Sequence, residues 1–270
     1  MSGRRPACGE RRPVPFRGGG FVIRPARLAG PVVLAALVLL VEWGTRTGWI
    51  SQLTLPRPSD VGLTLAQLHR SGLLWAHLAP SLSRLAAGSL IGVSAGVAVG
   101  LAMGLFSLVR AGLMPLVAAL FPVPKIALLP LFVIWFGIGE ASKYALIAFG
   151  AFMPMVVATR GAVDDVDRRL VRMGQSFGLS RASIIAKIIL PGALPGIFSG
   201  LRISLAIAII LLVAAEMIGA EHGIGAYILQ AGSLYDLNQL FAGVVILSII
   251  GLAISKALDI IEARLLRWRE

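Results

Sequence analysis

The 270-residue chain has a single cysteine, Cys8, so it carries neither a disulfide framework nor a cysteine-based zinc or redox site. Its three histidines, His69, His77 and His222, are scattered and form no H-E-x-x-H pair, which speaks against a metal centre. The pattern G-x-x-x-x-G-K-[ST] occurs nowhere, so the chain has no P-loop with which to cradle nucleotide phosphates. Any ATP-driven work therefore needs another subunit. Charge is also scarce, at 14% of residues, and acids are outnumbered 13 to 25 by Lys and Arg. An intramembrane enzyme would need clustered acids, histidines or a nucleophile, which this composition does not supply.

Apolar residues take the place of charge. They make up 57% of the chain, and the mean hydropathy is +0.86, the composition of a protein that lives in a bilayer. The net charge of +12 does not indicate nucleic-acid binding, because the basic residues sit at the edges of apolar segments rather than on a soluble face interleaved with aromatics. At about 20 apolar residues per crossing, six spans are expected: 28–43, 80–106, 113–136, 142–159, 192–217 and 240–261. Residues 1–27 are arginine-rich, contain Gly18–Gly20 and have too little apolar content to fold, so they read as a disordered basic cytoplasmic tail. No small-residue cleavage site follows the first apolar run, which makes it an uncleaved signal anchor rather than a signal peptide. With the N-terminus inside, and Lys256 near the end of the last span counted with the C-terminus, Lys and Arg divide 18 to 4 in favour of the cytoplasmic side, and both termini are expected there.

Within the second span, Gly88, Gly92, Gly96, Gly100 and Gly104 recur at every fourth position and leave one helix face without side chains. Another backbone can approach that face, from the same chain or from a second copy. The third span contains Pro115, Pro122, Pro124 and Pro130 and cannot be one regular helix. Lys125, inside this run, falls near mid-membrane, where it either bonds carbonyls freed by the prolines or stands beside a translocation path. Arg202 and Glu216 lie in the fifth span, about 21 Å apart along one helix, too far to pair with each other. Arg202 reads as structural, whereas Glu216 stays open between an interfacial acid and a path residue. Asp164, Asp165 and Asp167 look superficially like metal ligands, but they read as the acidic start of a solvated helix, with Asp164–Arg168 and Asp165–Arg169 as i,i+4 pairs.

The polar segment 160–191 is the part built to meet a partner. Gly178 permits a backbone reversal, Ser180 is a plausible helix N-cap, and a helix is expected from Ala182 to Leu190 until Pro191 breaks it. Taken alone, the segment would equally suit an amphipathic hairpin lying on lipid.

A resemblance separates these readings. Gly178, nine residues, then Ile188-Ile189-Leu190-Pro191 is similar to the G-x9-I-x-L-P half of the cytoplasmic signature loop of ABC importer permeases. Leu55-Pro56-Arg57-Pro58-Ser59-Asp60-Val61, Pro124-Lys125-Ile126-Ala127-Leu128-Leu129-Pro130, Trp135-Phe136-Gly137-Ile138-Gly139-Glu140 and Ala215-Glu216-Met217-Ile218-Gly219-Ala220 resemble the nitrate/sulfonate/taurine branch, and the likeness covers roughly 30–268. It departs where the family loop usually begins Glu-Ala-Ala, for this chain has Arg172-Met173-Gly174. The contact made there would be altered or lost unless a cognate ATPase carries a compensating acid.

The resemblance implies an all-α integral membrane protein of six transmembrane helices with the type I ABC importer permease fold and a cytoplasmic coupling loop. That loop's partner contacts would come from Arg172, Gly174, Phe177, Gly178, Leu179, Ser180, Arg181, Ile188, Leu190 and Pro191. It further implies a permease homodimer, two cytoplasmic ABC ATPase subunits that bind the ATP and Mg, and an extracytoplasmic substrate-binding protein. The chain itself would be non-catalytic, with no cofactor of its own. Sulfonate, taurine and nitrate fit the likeness, with thiamine-precursor or riboflavin-like heterocycles as the alternative and an ATP-independent channel or carrier behind them.

Overall fold

Helix α3 (Leu73–Leu105) packs so closely on α6 (Glu140–Asp164) that its glycines are required by geometry. A Cβ built on Gly96 would stand 2.7 Å from Met155 Cβ, and one on Gly100 would stand 2.6 Å from Thr159 Cβ. Gly88, Gly92 and Gly104 meet Ile147, the Ala148 backbone and Val163 in the same way. The bare face is thus filled from within the chain. Gly92-Val93-Ser94-Ala95-Gly96 spells the G-x-S-x-G string of hydrolase nucleophile elbows, but it lies mid-helix, with the Ser94 hydroxyl donating to the Ile91 carbonyl at 3.2 Å. The strand-to-helix turn that would expose such a serine is missing there.

The computed structural model describes residues 29–266, all helix and connection. Helix α1 (Ala29–Arg46) leads into α2 (Pro58–Arg70), α3, α4 (Ser107–Leu120), a 3-10 turn at Lys125–Leu128, α5 (Leu129–Phe136) and α6. Then follow α7 (Arg168–Ser176), α8 (Arg181–Ile184), a π turn at Ile185–Ile189, α9 (Leu190–Gly219), α10 (Ile224–Ser233) and α11 (Leu237–Leu265). Helix α6 is the hub, with α3 on one side and α9 on the other; Gly196 and Gly200 of α9 admit Ala162 and Ala158 at close range. Small residues let backbones approach where lipid supplies no hydrophobic drive between helices.

Among the described residues four helical stretches are long and apolar enough to cross a membrane: Leu73–Leu105, Glu140–Asp164, Arg181–Gly219 and Leu237–Leu265. The bent pair Ser107–Leu120 and Lys125–Phe136 makes a fifth if taken as one span. Among the described residues these stretches correspond to the second to sixth expected spans. Helix α1, described from Ala29 to Arg46, covers the first expected span, 28–43, apart from its first residue. The tail 1–27 lies outside the described residues. The proline-rich third span is broken as expected, its two arms meeting at 92°. Elsewhere the helices outrun the hydropathy limits. The second starts at Leu73 rather than residue 80, and the fourth runs to Asp164 rather than residue 159.

Two local expectations are overturned. Pro191 does not break the chain: the helical path is continuous from Arg181 to Gly219. The π turn beforehand, closed by Leu190 N–H to the Ile185 carbonyl, widens the helix where the proline ring would crowd the preceding turn and where its missing N–H would leave a gap. Nor do Asp164 and Asp165 start a helix. Asp164 is the last residue of α6, and its carboxylate takes Arg110 at 2.5 Å and Arg160 at 3.1 Å instead of Arg168. Asp167 alone caps α7, accepting from Arg169 N–H at 2.8 Å.

Candidate functional site

Between α6 and α9 the chain leaves the bundle as a helical elbow. Helix α7 ends in a Schellman turn: Leu179 N–H donates to the Gly174 carbonyl at 3.0 Å and Gly178 N–H to the Gln175 carbonyl at 2.9 Å. This turn needs a left-handed residue, and Gly178 supplies it at φ +73°. Ser180 then caps α8, its hydroxyl accepting from Ser183 N–H at 3.2 Å. Gly174 is buried because α7 lies against the returning helix; a Cβ there would stand 2.8 Å from Ile188 Cδ1 and 3.5 Å from Leu179 Cδ1.

The elbow presents its remaining residues outward. Phe177, at the tip, is 77% exposed, and Arg172, Ser180 and Arg181 are exposed as well. Among the described residues Arg168, Arg169, Arg172 and Arg181 form no ion pair. A cavity of about 650 Å³ opens behind α7, lined by Met173, Lys187, Ile188 and Pro191 among others. Leu190 is half-buried just before it. Arg110 binds this end of the bundle together, donating to the Met103 and Gly104 carbonyls at the end of α3 as well as to Asp164 of α6.

At the opposite end of the same helices lies a buried ionic cluster. Arg84 of α3, with its side chain 6% exposed, grips Glu140 of α6 through Nε at 2.6 Å and Nη2 at 2.7 Å. Its Nη1 donates to Glu216 of α9 at 2.8 Å and to the His222 carbonyl at 2.6 Å. Glu216 also accepts from the Ser81 hydroxyl at 2.8 Å and from Gly225 N–H at 2.9 Å. The chain after α9 folds back over this carboxylate, and Gly223, at φ +146°, leaves no room for a Cβ beside Glu216. His77 Nδ1 lies 3.0 Å from the Gly223 carbonyl, and its ring sits 5.4 Å from that of Tyr227. The Tyr227 phenol is pushed up to about 12 by burial and by the nearby Asp236 carboxylate. Lys143 adds a second cation, 3.0 Å from Glu140.

The three charges singled out for a translocation path are not brought together. Lys125 donates to the Phe121 carbonyl, freed at the break between α4 and α5, and lies 5.2 Å from the centre of the Phe121 ring. Arg202 is paired with Asp259 and Glu262 of α11, each at 2.8 Å. Glu216 belongs to the cluster. Sequence reasoning missed Arg84, Glu140, Lys143, Ser81 and His77; the available signal was the presence of buried-span charges at both Arg84 and Glu216, opposite in sign.

Residues 88–269 match the family model described as "Binding-protein-dependent transport system inner membrane component". The chain is 41% identical to the taurine transport system permease protein of Escherichia coli (strain K12), over 86% of this chain and 87% of that one. It is 37% identical to a Bacillus subtilis (strain 168) permease named for aliphatic sulfonates transport, over 88% and 87%. To the riboflavin transport system permease protein of Chloroflexus aurantiacus it is 32% identical, over 88% and 89%. The fold is similar to that of the MetNI methionine ABC transporter in inward-facing conformations, with a TM-score of 0.63 at 20% identity over 72% of this chain and 98% of that one. The chain belongs to the family of binding-protein-dependent inner-membrane transport components, the permease subunits of ABC importers.

Proposed function

We propose that the chain is the membrane subunit of an ATP-driven importer of small sulfonates, taurine among them, worked through the α7–α8 elbow. The observation that carries the substrate class is the 41% identity to a taurine permease along nearly the whole chain. In this reading two copies of the permease form the pore, two cytoplasmic ATPase subunits bind ATP and Mg, and an extracytoplasmic binding protein delivers the anion. The 18 to 4 division of Lys and Arg supports a cytoplasmic elbow and cytoplasmic termini, with the Arg84 cluster outside.

The elbow suits a handle. Closure of the ATPase pair pushes on Phe177, Leu179 and Arg181, and the push is delivered to α9 without a flexible joint, since α8, the π turn and α9 are one helical path. Helix α6, packed on both α3 and α9, carries the tilt across the bundle as a rigid body. Discrimination rests on the binding protein. Lys125 adds at most a favourable field for an anion, Arg202 ties α9 to α11, and Glu216 holds the outer end.

Reconstitution tests this reading. Proteoliposomes holding permease, ATPase and binding protein are expected to hydrolyse ATP faster when taurine-loaded binding protein is added, and to accumulate taurine. Gly178→Val, which forces a β-branched residue to φ +73° with open space around it, is expected to leave the bundle folded and to abolish this stimulation. Uptake without any ATPase subunit would overturn the importer reading in favour of a carrier. The riboflavin-permease relative supports a second reading, a heterocycle substrate; stabilisation of the binding protein by riboflavin and not by taurine in a thermal shift would select it.

A further inference from the structure

Lys143 is the cation of the buried cluster with donors to spare. Its side chain is 6% exposed, yet among the described residues its ammonium has one partner, Glu140 Oε1 at 3.0 Å. An ammonium carries three N–H donors, and leaving two of them without acceptors in a buried site is unfavourable. Beside it lies a cavity of about 150 Å³, lined also by Leu129, Val133, Ser142, Ala215 and Gly219, so its wall is apolar or small except at Lys143 and Ser142. The cavity sits at the first turn of the 25-residue α6, whose cap residue, Gly139, offers no side-chain acceptor to the leading amides.

The two carboxylates of the cluster are not equivalent. Glu216 is sealed, with a side chain 0% exposed and bonds to Ser81, Arg84 and Gly225. The Glu140 side chain is 47% exposed although both its cations are buried, so it can leave them for water. Two cations and two carboxylates make the cluster neutral while Glu140 is in place. Once it swings out, a single positive charge remains around Lys143 and Arg84.

We infer that the Lys143 cavity is an anion-receiving site for a sulfonate head group, with Glu140 as its built-in competitor. The inference rests on the importer reading for its substrate class and for the outward position of the cavity. A sulfonate entering the cavity takes the free donors of Lys143 and displaces Glu140 from the Arg84 fork, and the return of Glu140 ejects it. The site therefore holds its anion only in passing.

The test uses the assembled complex in nanodiscs, titrated calorimetrically at constant ionic strength with methanesulfonate and with the uncharged isostere dimethyl sulfone. Glu140→Gln is expected to tighten methanesulfonate binding roughly tenfold or more, as a competing charge is removed at close range, and to leave dimethyl sulfone unbound. Lys143→Met is expected to abolish binding and Lys143→Arg to retain it. Equal affinity in wild type and Glu140→Gln, unchanged binding in Lys143→Met, or equal binding of dimethyl sulfone would each overturn the site. Should Glu140→Gln fail to assemble, Glu140→Asp shortens the competitor's reach and is expected to tighten binding partway; an unchanged Kd would sink the idea. Wild-type ATP-driven taurine uptake is measured in parallel. Uptake with no sulfonate binding at Lys143 overturns this site alone, whereas Lys143-dependent binding with no uptake overturns the importer alone.

Discussion

Glu216 is a carboxylate 1% exposed, held by a guanidinium, a hydroxyl and a backbone amide that all come from sequence-distant positions or from the folded-back turn after its own helix. Removing one partner of a buried ion pair leaves the other charge uncompensated, at a cost of about 3–5 kcal/mol. Glu216→Ala is therefore expected to lower the melting temperature of the detergent-purified protein steeply, and Glu216→Gln, which keeps an acceptor for Gly225 N–H, to lower it less. A melt of Glu216→Ala indistinguishable from wild type would show that Arg84 is satisfied by Glu140 alone. Single residues differ in how legible they are. Gly178 and Ser180 could be read because a left-handed turn and a helix cap are local demands met by residue type. Arg84 could not, since its carboxylate partners lie 56 and 132 positions away and nothing in the intervening sequence encodes that meeting.

Elements were legible where a period or a gap marks them. Five glycines four apart announce a helix face without side chains, but not which helix fills it; the answer, α6, depends on Ile147, Met155, Thr159 and Val163 sharing one stripe of that helix. The seam yields a contrast between glycines. Gly100→Val sets branched carbon against Thr159 and the Val156 carbonyl, and overpacking of this kind costs about 1–3 kcal/mol. Gly161→Ala, in α6, meets nothing within 4 Å and removes a helix-interior glycine, so about 0.5–1 kcal/mol of stabilisation is expected. Thermal unfolding of the two variants should move in opposite directions, and parallel shifts would disprove the seam. Proline was the less reliable sign. In the third span Pro122 and Pro124 do mark the break, yet Pro115 sits inside α4 and Pro191 is absorbed by a π turn, because a widened turn meets the same steric demand as a break.

At the scale of the whole molecule the two polar assemblies stand at opposite ends of shared helices. The elbow joins the end of α6 and the approach to α9, whereas the Arg84 cluster joins the beginning of α6 and the end of α9. Thirty residues of α9 at ~1.5 Å each span ~45 Å, more than a ~30 Å hydrocarbon core, so the two assemblies must face different compartments if α9 crosses the bilayer. Charge bias then assigns the compartments, and the lone cysteine makes that assignment easy to test. Cys8→Ser gives a cysteine-free background, into which Phe177→Cys, 77% exposed in the parent residue, and Leu234→Cys, 71% exposed at the end of α10, are introduced separately. In intact spheroplasts a membrane-impermeant maleimide is expected to label Leu234→Cys and to reach Phe177→Cys only after permeabilisation. The reverse pattern would put the elbow outside, out of reach of any cytoplasmic ATPase, and labelling of both in intact cells would mean that α9 does not separate them.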